Sequence, residues 1–367
     1  MNTRSIVMKR SSPLIEIVVW LMVTGVFFLL GTLAVILVSV ILGADRSMLS
    51  MERLMAEGLD SFLLINALFL IIALVGPVLV ISRVLRVKLG TWFGMPIRSV
   101  GKWYGWGVAL LVVAYPMMMG IENWVNVWLP ESLQGTPQQN WLRNIYERLL
   151  EVQSVKQWIG RAIMVAIVPA VVEELYFRGL TQSLLMRWLK RVWPAIVVSA
   201  FLFAAMHLQW EGFLSRWIIG ILLGFIYWKT RILWIPILLH LTNNLVLLTL
   251  GWGFHQGWFP WNPIEDVSIP WYGIALSALM VILLMRHLGD NDGTNGFTEG
   301  WTKAYETADP HWAYILEGNL KSLGMHPVLI NKRDSAYGFG FVEVWVPRDE
   351  VDKARQVIEE TKEDGNA

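Results

Sequence analysis

The chain contains no cysteine. Disulfides, thiolate nucleophiles, CxxC redox chemistry and Cys-ligated zinc are thereby excluded, while the compartment is left open. Charge is scarce as well: Asp, Glu, Lys and Arg make up 16% of 367 residues and leave a formal net charge of +1. Nothing in that balance supports nucleic-acid binding. The HExxH pattern of a helical zinc protease is also absent. What the chain has in excess is apolar surface, with 55% hydrophobic residues, 21 Trp and a mean hydropathy of +0.49. That exceeds what a soluble core needs and implies a polytopic membrane protein.

Apolar runs place about eight membrane helices at roughly 15–43, 61–83, 103–126, 158–186, 193–209, 214–228, 232–251 and 269–286. The first is longer than a signal-peptide core, lacks a convincing small-residue cleavage site, and reads as a retained helix. Basic residues fall at alternate ends: Arg4, Lys9 and Arg10; Arg83, Arg86, Lys88, Arg98 and Lys102; Arg187, Lys190 and Arg191; Lys229 and Arg231; and Arg286. By the positive-inside rule both termini are cytoplasmic. The opposite loops are rich in Trp, as with Trp252, Trp258 and Trp261. Within the loop from 127 to 157, Trp141, Leu142, Ile145, Leu149 and Leu150 fall at helical spacing and suggest a segment lying along the outer interface.

Composition changes after Leu288, dividing the chain into a transmembrane domain (1–288), a polar glycine-rich linker (289–300) and a soluble domain (301–367). In the last, a strand near 303–307, a helix from 309 to 324, strands at 327–331 and 340–346, and an amphipathic helix after Pro347 give the order β-α-β-β-α. Val342, Val344 and Val346 alternate onto one face. The expected fold is thus an all-α membrane bundle followed by a small α+β domain.

Three polar clusters interrupt the apolar background: Glu173-Glu174-Leu175-Tyr176-Phe177-Arg178, Phe203-Ala204-Ala205-Met206-His207 and His240-Leu241-Thr242-Asn243-Asn244. Such groups are costly in hydrocarbon and point to an intramembrane site. Glu174 and Arg178 stand at i and i+4 and can pair on one helix face, whereas Glu173 is rotated by about 100° and left unpaired. An unpaired carboxylate in a low-dielectric site suits a group that takes a proton from water. Phe203 with His207, and His240 with Asn244, share faces by the same spacing. Depth decides whether they can meet. A fourth helix ending at Val172 would leave Glu173 at the surface and His207 about 21 Å inside, while one continuing to Arg187 levels the two. The longer helix is expected.

Taken in order on successive helices, Glu-Glu-x-x-x-Arg, Phe-x-x-x-His and His-x-x-x-Asn resemble the CAAX protease and bacteriocin-processing family, the Abi or type II CAAX prenyl endopeptidase group. The resemblance covers residues 155–255, with no substitution at a signature position. It implies an intramembrane glutamic endopeptidase that needs no cofactor. By motif, Glu173 and His207 would activate the attacking water, His240 and Asn244 would stabilise the oxyanion, and Glu174 and Arg178 would organise the site. The soluble domain resembles a small prokaryotic signal-transducing domain, implying a cytoplasmic regulator and a prokaryotic cell membrane. The substrate would be a membrane protein or peptide precursor.

Blander readings accompany these. Glu174 and Arg178 read as structural, Phe203 as packing, and Asn243 competes with Asn244 for its role. Gly220 and Gly224 form a GxxxG pair that reads as close packing within the bundle. An alternative chemistry makes Glu173, His207 and His240 three zinc ligands with an open fourth position. A non-catalytic scaffold or immunity protein would bind a peptide without cutting it, but it has no use for an unpaired membrane carboxylate.

Overall fold

The structure is a computed structural model, and it describes residues 13–41, 51–84, 100–128, 136, 144–145, 147–210, 212–258, 260, 269–290, 301–331 and 341–365. The amino-terminal basic residues, Arg86, Lys88, Arg98, Trp141, Leu142, Trp261 and nearly all of the expected linker lie outside them. The chain divides into two compact units, Met1–Leu284 and Met285–Ala367.

Among the described residues the long helices succeed one another in the order expected: α1 (Pro13–Ile41), α2 (Gly58–Val84), α3 (Val100–Trp128), α4 (Val155–Leu189), α5 (Val192–Met206), α6 (Phe213–Thr230), α7 (Trp234–His255) and α8 (Trp271–Asp290). Six of them are long and apolar enough to cross a bilayer. The other two fall short of that standard: α5 has 15 residues, and α6 includes Arg216 and Lys229 within its 18. The protein is a multi-pass membrane protein. Leu21, Met22, Leu29, Leu33 and Leu37 of α1 face outward, the side of a helix that meets lipid.

The fourth helix is the long one, running from Val155 to Leu189. Ser154 opens it by accepting from the Gln157 N–H at 3.2 Å. Lys190 closes it in a left-handed conformation, φ 52°, with its N–H on the Met186 carbonyl. Two π-helical stretches, Ala162–Ile167 and Leu175–Gln182, widen it on either side of the paired glutamates. At its far end Arg187 pairs with Glu16 of α1 at 2.8 Å. Nearer the glutamates, the Tyr176 hydroxyl meets Thr24 of α1 at 3.0 Å.

The expected interfacial segment departs from its reading. Leu149 and Leu150 are buried against Leu63, Ala162 and Leu248, because the bundle offers them a dry surface where Gly251 lets Leu150 approach. Arg161 holds this turn by donating to the carbonyls of Arg148 and Leu149.

In α3 the Ser277 hydroxyl of α8 reaches the backbone beside Pro116, where it accepts from the Met117 N–H at 3.1 Å and donates to the Val113 carbonyl. Proline lacks an N–H and crowds the preceding turn, which makes room for the hydroxyl.

The second unit has the expected β-α-β-β-α order: β1 (Trp301–Thr307), α9 (Pro310–Ser322), β2 (Val328–Asn331), β3 (Val342–Pro347) and α10 (Val351–Gly365). The sheet is antiparallel with order β1-β3-β2, and a bulge lies between Lys303 and Tyr305. Val344 and Val346 pack with Leu316, Leu320, Ala354 and Ile358 of the two helices. Glu343, which alternates to the other face, is buried as well; Lys303 at 3.3 Å and the Trp345 indole N–H at 2.9 Å satisfy it.

Within the bundle, α5 and α6 approach so closely that a Cβ on Gly220 would sit 2.9 Å from the Ala200 Cβ and 3.1 Å from its Cα. Backbone lines that contact, so no rotamer change can relieve it. Gly220→Val should therefore destabilise the bundle by about 1–3 kcal/mol. Thermal unfolding in detergent micelles checks this, and a midpoint equal to that of the wild type would contradict the packing.

Candidate active site

Glu173, Glu174 and Arg178 project from the middle of α4, Phe203 and His207 from the end of α5, and His240 and Asn244 from α7. Helix α7 packs against α3, α4 and α6, and α5 packs against α4 and α6, which brings the three polar faces together.

At the centre is the Glu174 carboxylate, which is wholly buried. Its Oε1 accepts from Arg178 Nη1 at 2.7 Å and from His240 Nδ1 at 2.9 Å. The first of these is the i, i+4 pair expected from the sequence. The second, between residues 66 apart in the chain, was not expected. Arg178 Nη2 then donates to the Gly220 carbonyl at 3.0 Å, and Gln182 one turn later donates to the Gly224 carbonyl at 3.0 Å. The GxxxG pair thus faces α4 and α5 and serves packing inside the bundle. A Cβ on Gly224 would lie 2.7 Å from Gln182 Oε1 and 3.1 Å from Ile196 Cγ2.

Glu173 is the second buried carboxylate, and the imidazole it approaches is His240, with Oε2 at 4.0 Å from Nε2. His207 is half-buried at the end of α5 and its Nδ1 lies 2.9 Å from the Phe203 carbonyl. A carbonyl can only accept, so Nδ1 carries the proton and Nε2 keeps its lone pair in the neutral ring. His240 Nδ1 likewise faces a carboxylate, which assigns it as the donor on that side. To give a hydrogen bond from Nε2, His240 must therefore carry a second proton. Both rings stand edge-on to Phe203, at 5.2 Å for His207 and 5.7 Å for His240, and the Arg178 guanidinium lies 4.9 Å from the same ring centre. Phe203 is the shared wall of the site.

Asn244 Nδ2 donates to the Val165 carbonyl at 3.5 Å, in the first π-helical stretch of α4, and its Oδ1 accepts from Asn243 at 3.3 Å. Asn243 is thereby a partner of Asn244. The amide of Asn244 has a second N–H to give. Among the described residues no group of three or more His, Cys, Asp or Glu side chains is disposed to hold a metal ion.

Sequence reasoning missed Arg216, which reaches from α6 to the Gln209 carbonyl, two residues after His207, at 3.3 Å. A signal was present, since Arg216, Gly220 and Gly224 recur at i, i+4 on one face of α6. It also missed Gln182 and Ser199, the latter donating to the Phe177 carbonyl at 3.1 Å.

Residues 155–246 match the family of the type II CAAX prenyl endopeptidase Rce1-like proteins. The matched stretch begins at the first residue of α4, ends two residues after Asn244 and includes every motif residue of the site. It stops before the carboxy-terminal unit. No curated protein and no solved structure matches the chain. The matched family is one of intramembrane CAAX-type proteases.

Removing Glu174 would leave the Arg178 guanidinium, itself 1% exposed, without the carboxylate that pairs with it directly. Glu174→Ala should cost about 3–5 kcal/mol, and Glu174→Ala combined with Arg178→Met should recover part of that loss. Glu173→Gln, which breaks no short contact, should cost far less. Unfolding midpoints of the purified variants measure this, and equal losses at 173 and 174 would refute the division of roles.

Proposed function

We propose that the chain is an intramembrane endopeptidase in which a water activated by Glu173 and His207 attacks a peptide carbonyl, with His240 and Asn244 stabilising the oxyanion. The observation that carries this reading is the division of labour between two adjacent buried carboxylates. Glu174 receives both Arg178 and His240 on Oε1, while Glu173 makes no short hydrogen bond and stands 4.0 Å from His240 Nε2. A carboxylate buried without a close partner has no structural need to be there.

The chemistry requires no covalent intermediate. Water adds to the carbonyl carbon as its proton passes to Glu173 or to the free Nε2 of His207. The developing oxyanion accepts from the second N–H of Asn244 and from His240 when that ring enters the step already protonated on Nε2, a proton it keeps through collapse. Collapse of the tetrahedral intermediate breaks the C–N bond, and the proton just taken from water goes to the leaving amine. Glu174 and Arg178 hold the His240 ring and the α4–α6 spacing through all of this. The substrate is a peptide segment that reaches the site within the bilayer, from a membrane protein or a precursor peptide. The basic residues at Arg83, Arg187, Lys190, Arg191, Lys229, Arg231 and Arg286 support cytoplasmic termini.

Glu173→Ala, His207→Ala and His240→Ala should each abolish cleavage while the protein stays folded. The check compares peptide termini in membranes from cells expressing wild type with those from cells expressing each variant at equal abundance. Termini unique to the wild type are expected. Full turnover by any variant would remove that residue from the mechanism, and loss of activity on chelation with recovery on zinc would replace the glutamic mechanism by a metal one.

A further inference from the structure

His207 stands at the very end of α5, so its position depends on the turn that joins α5 to α6. Leu208 adopts a left-handed conformation, φ 52°, which is unfavourable for a residue with a Cβ and persists only where its surroundings hold it. Gly212, φ 74°, then starts α6 as its N-cap and offers no side chain to satisfy the helix N–H groups. The cap comes from another helix. Glu122 of α3 accepts from the Gly212 N–H with one carboxylate oxygen and from the Ser215 hydroxyl, at 3.1 Å, with the other. Arg216, in the same first turn of α6, reaches back to the Gln209 carbonyl at 3.3 Å. The segment after His207 is thus tied at Gln209 by Arg216 and at Gly212 by Glu122.

A carboxylate in the stretch Val100–Val125 is expensive, and its pairing with the positive end of α6 offsets that cost. Glu122 also lies outside the stretch 155–246 that matches the protease family. We infer that Glu122 is a positioning residue: by capping α6 in trans it fixes the turn that carries His207 and so sets where the imidazole stands relative to Glu173. The inference rests on the protease reading of the site. A reacting group displaced by about 1 Å loses on the order of 10²-fold in rate, which sets the scale of effect to expect.

The test uses the full chain in membranes or micelles, with cleavage kinetics and the side-chain ¹⁵N signals of His207, assigned by their loss in His207→Ala. Glu122→Ala should lower kcat by about 10²-fold with KM within about twofold, and should broaden or shift the His207 signals. Glu122→Gln keeps an oxygen for the Gly212 N–H and an amide for the Ser215 hydroxyl, so it should restore kcat to within a few-fold of wild type. Should Glu122→Ala fail to fold, Ser215→Ala removes one arm alone and should give a smaller loss of kcat in the same direction. Wild-type kcat and unchanged His207 signals in a folded Glu122→Ala would overturn the inference. So would Glu122→Gln as impaired as Glu122→Ala at an unchanged unfolding midpoint, because the charge itself would then be what matters. If wild type cleaves no more than Glu173→Gln, the protease reading fails, while the His207 signals still decide whether Glu122 positions that ring.

Discussion

One buried oxygen, Oε1 of Glu174, fixes the arrangement of the membrane unit around it. Two donors converge on it, Arg178 from the same helix and His240 from α7, and Arg178 passes the constraint on to the backbone of α6 at Gly220. A carboxylate without water holds its donors tightly, because the alternative is an unsatisfied charge in a low-dielectric interior. The rotation of α4, the orientation of the His240 ring and the distance from α4 to α6 therefore depend on one another. Glu173, one residue earlier, is carried into position by this arrangement without being consumed in it.

The backbone is adapted to the same end. Helix α4 leaves the regular α ladder before and after the glutamates, and α6 presents two glycines where Arg178 and Gln182 reach its carbonyls. The tight approach of α5 to α6 at Ala200 and Gly220 brings Phe203 beside α4, where its ring meets Phe177, the guanidinium and both imidazoles. Small residues and widened turns take the place that hydrophobic burial has in a soluble core, since apolar side chains gain nothing by leaving lipid for protein.

That difference also explains which features could be read from the sequence. Helix order, the long α4, the Glu174–Arg178 pair and the β-α-β-β-α order of the second unit are local or periodic features, fixed by helix spacing, strand alternation and composition. The bond from His240 to Glu174 was not legible, because it depends on how far each helix is turned about its own axis. In a soluble helix the apolar stripe gives that angle. In α1 or α7 residues facing lipid and residues facing neighbours are equally apolar, so the stripe disappears. The inward turn of Leu149 and Leu150 escaped for the same reason: an amphipathic pattern fits a membrane surface and a bundle groove alike. The match over residues 155–246 bears on family, whereas the roles proposed for single residues rest on geometry.

The pairing of Glu174 with Arg178 has a consequence for biogenesis. Helix α4 is synthesised before α6 and α7, so it can meet the bilayer before Gly220 and His240 are in place to receive its polar groups. Because the pair is separated by a single helical turn, it neutralises itself as soon as the helix forms, and of the two adjacent glutamates only Glu173 remains to burden insertion. The same two charges placed on different helices would have to enter lipid separately. The order of synthesis thus favours keeping this ion pair within one segment, irrespective of what it later does for the folded site.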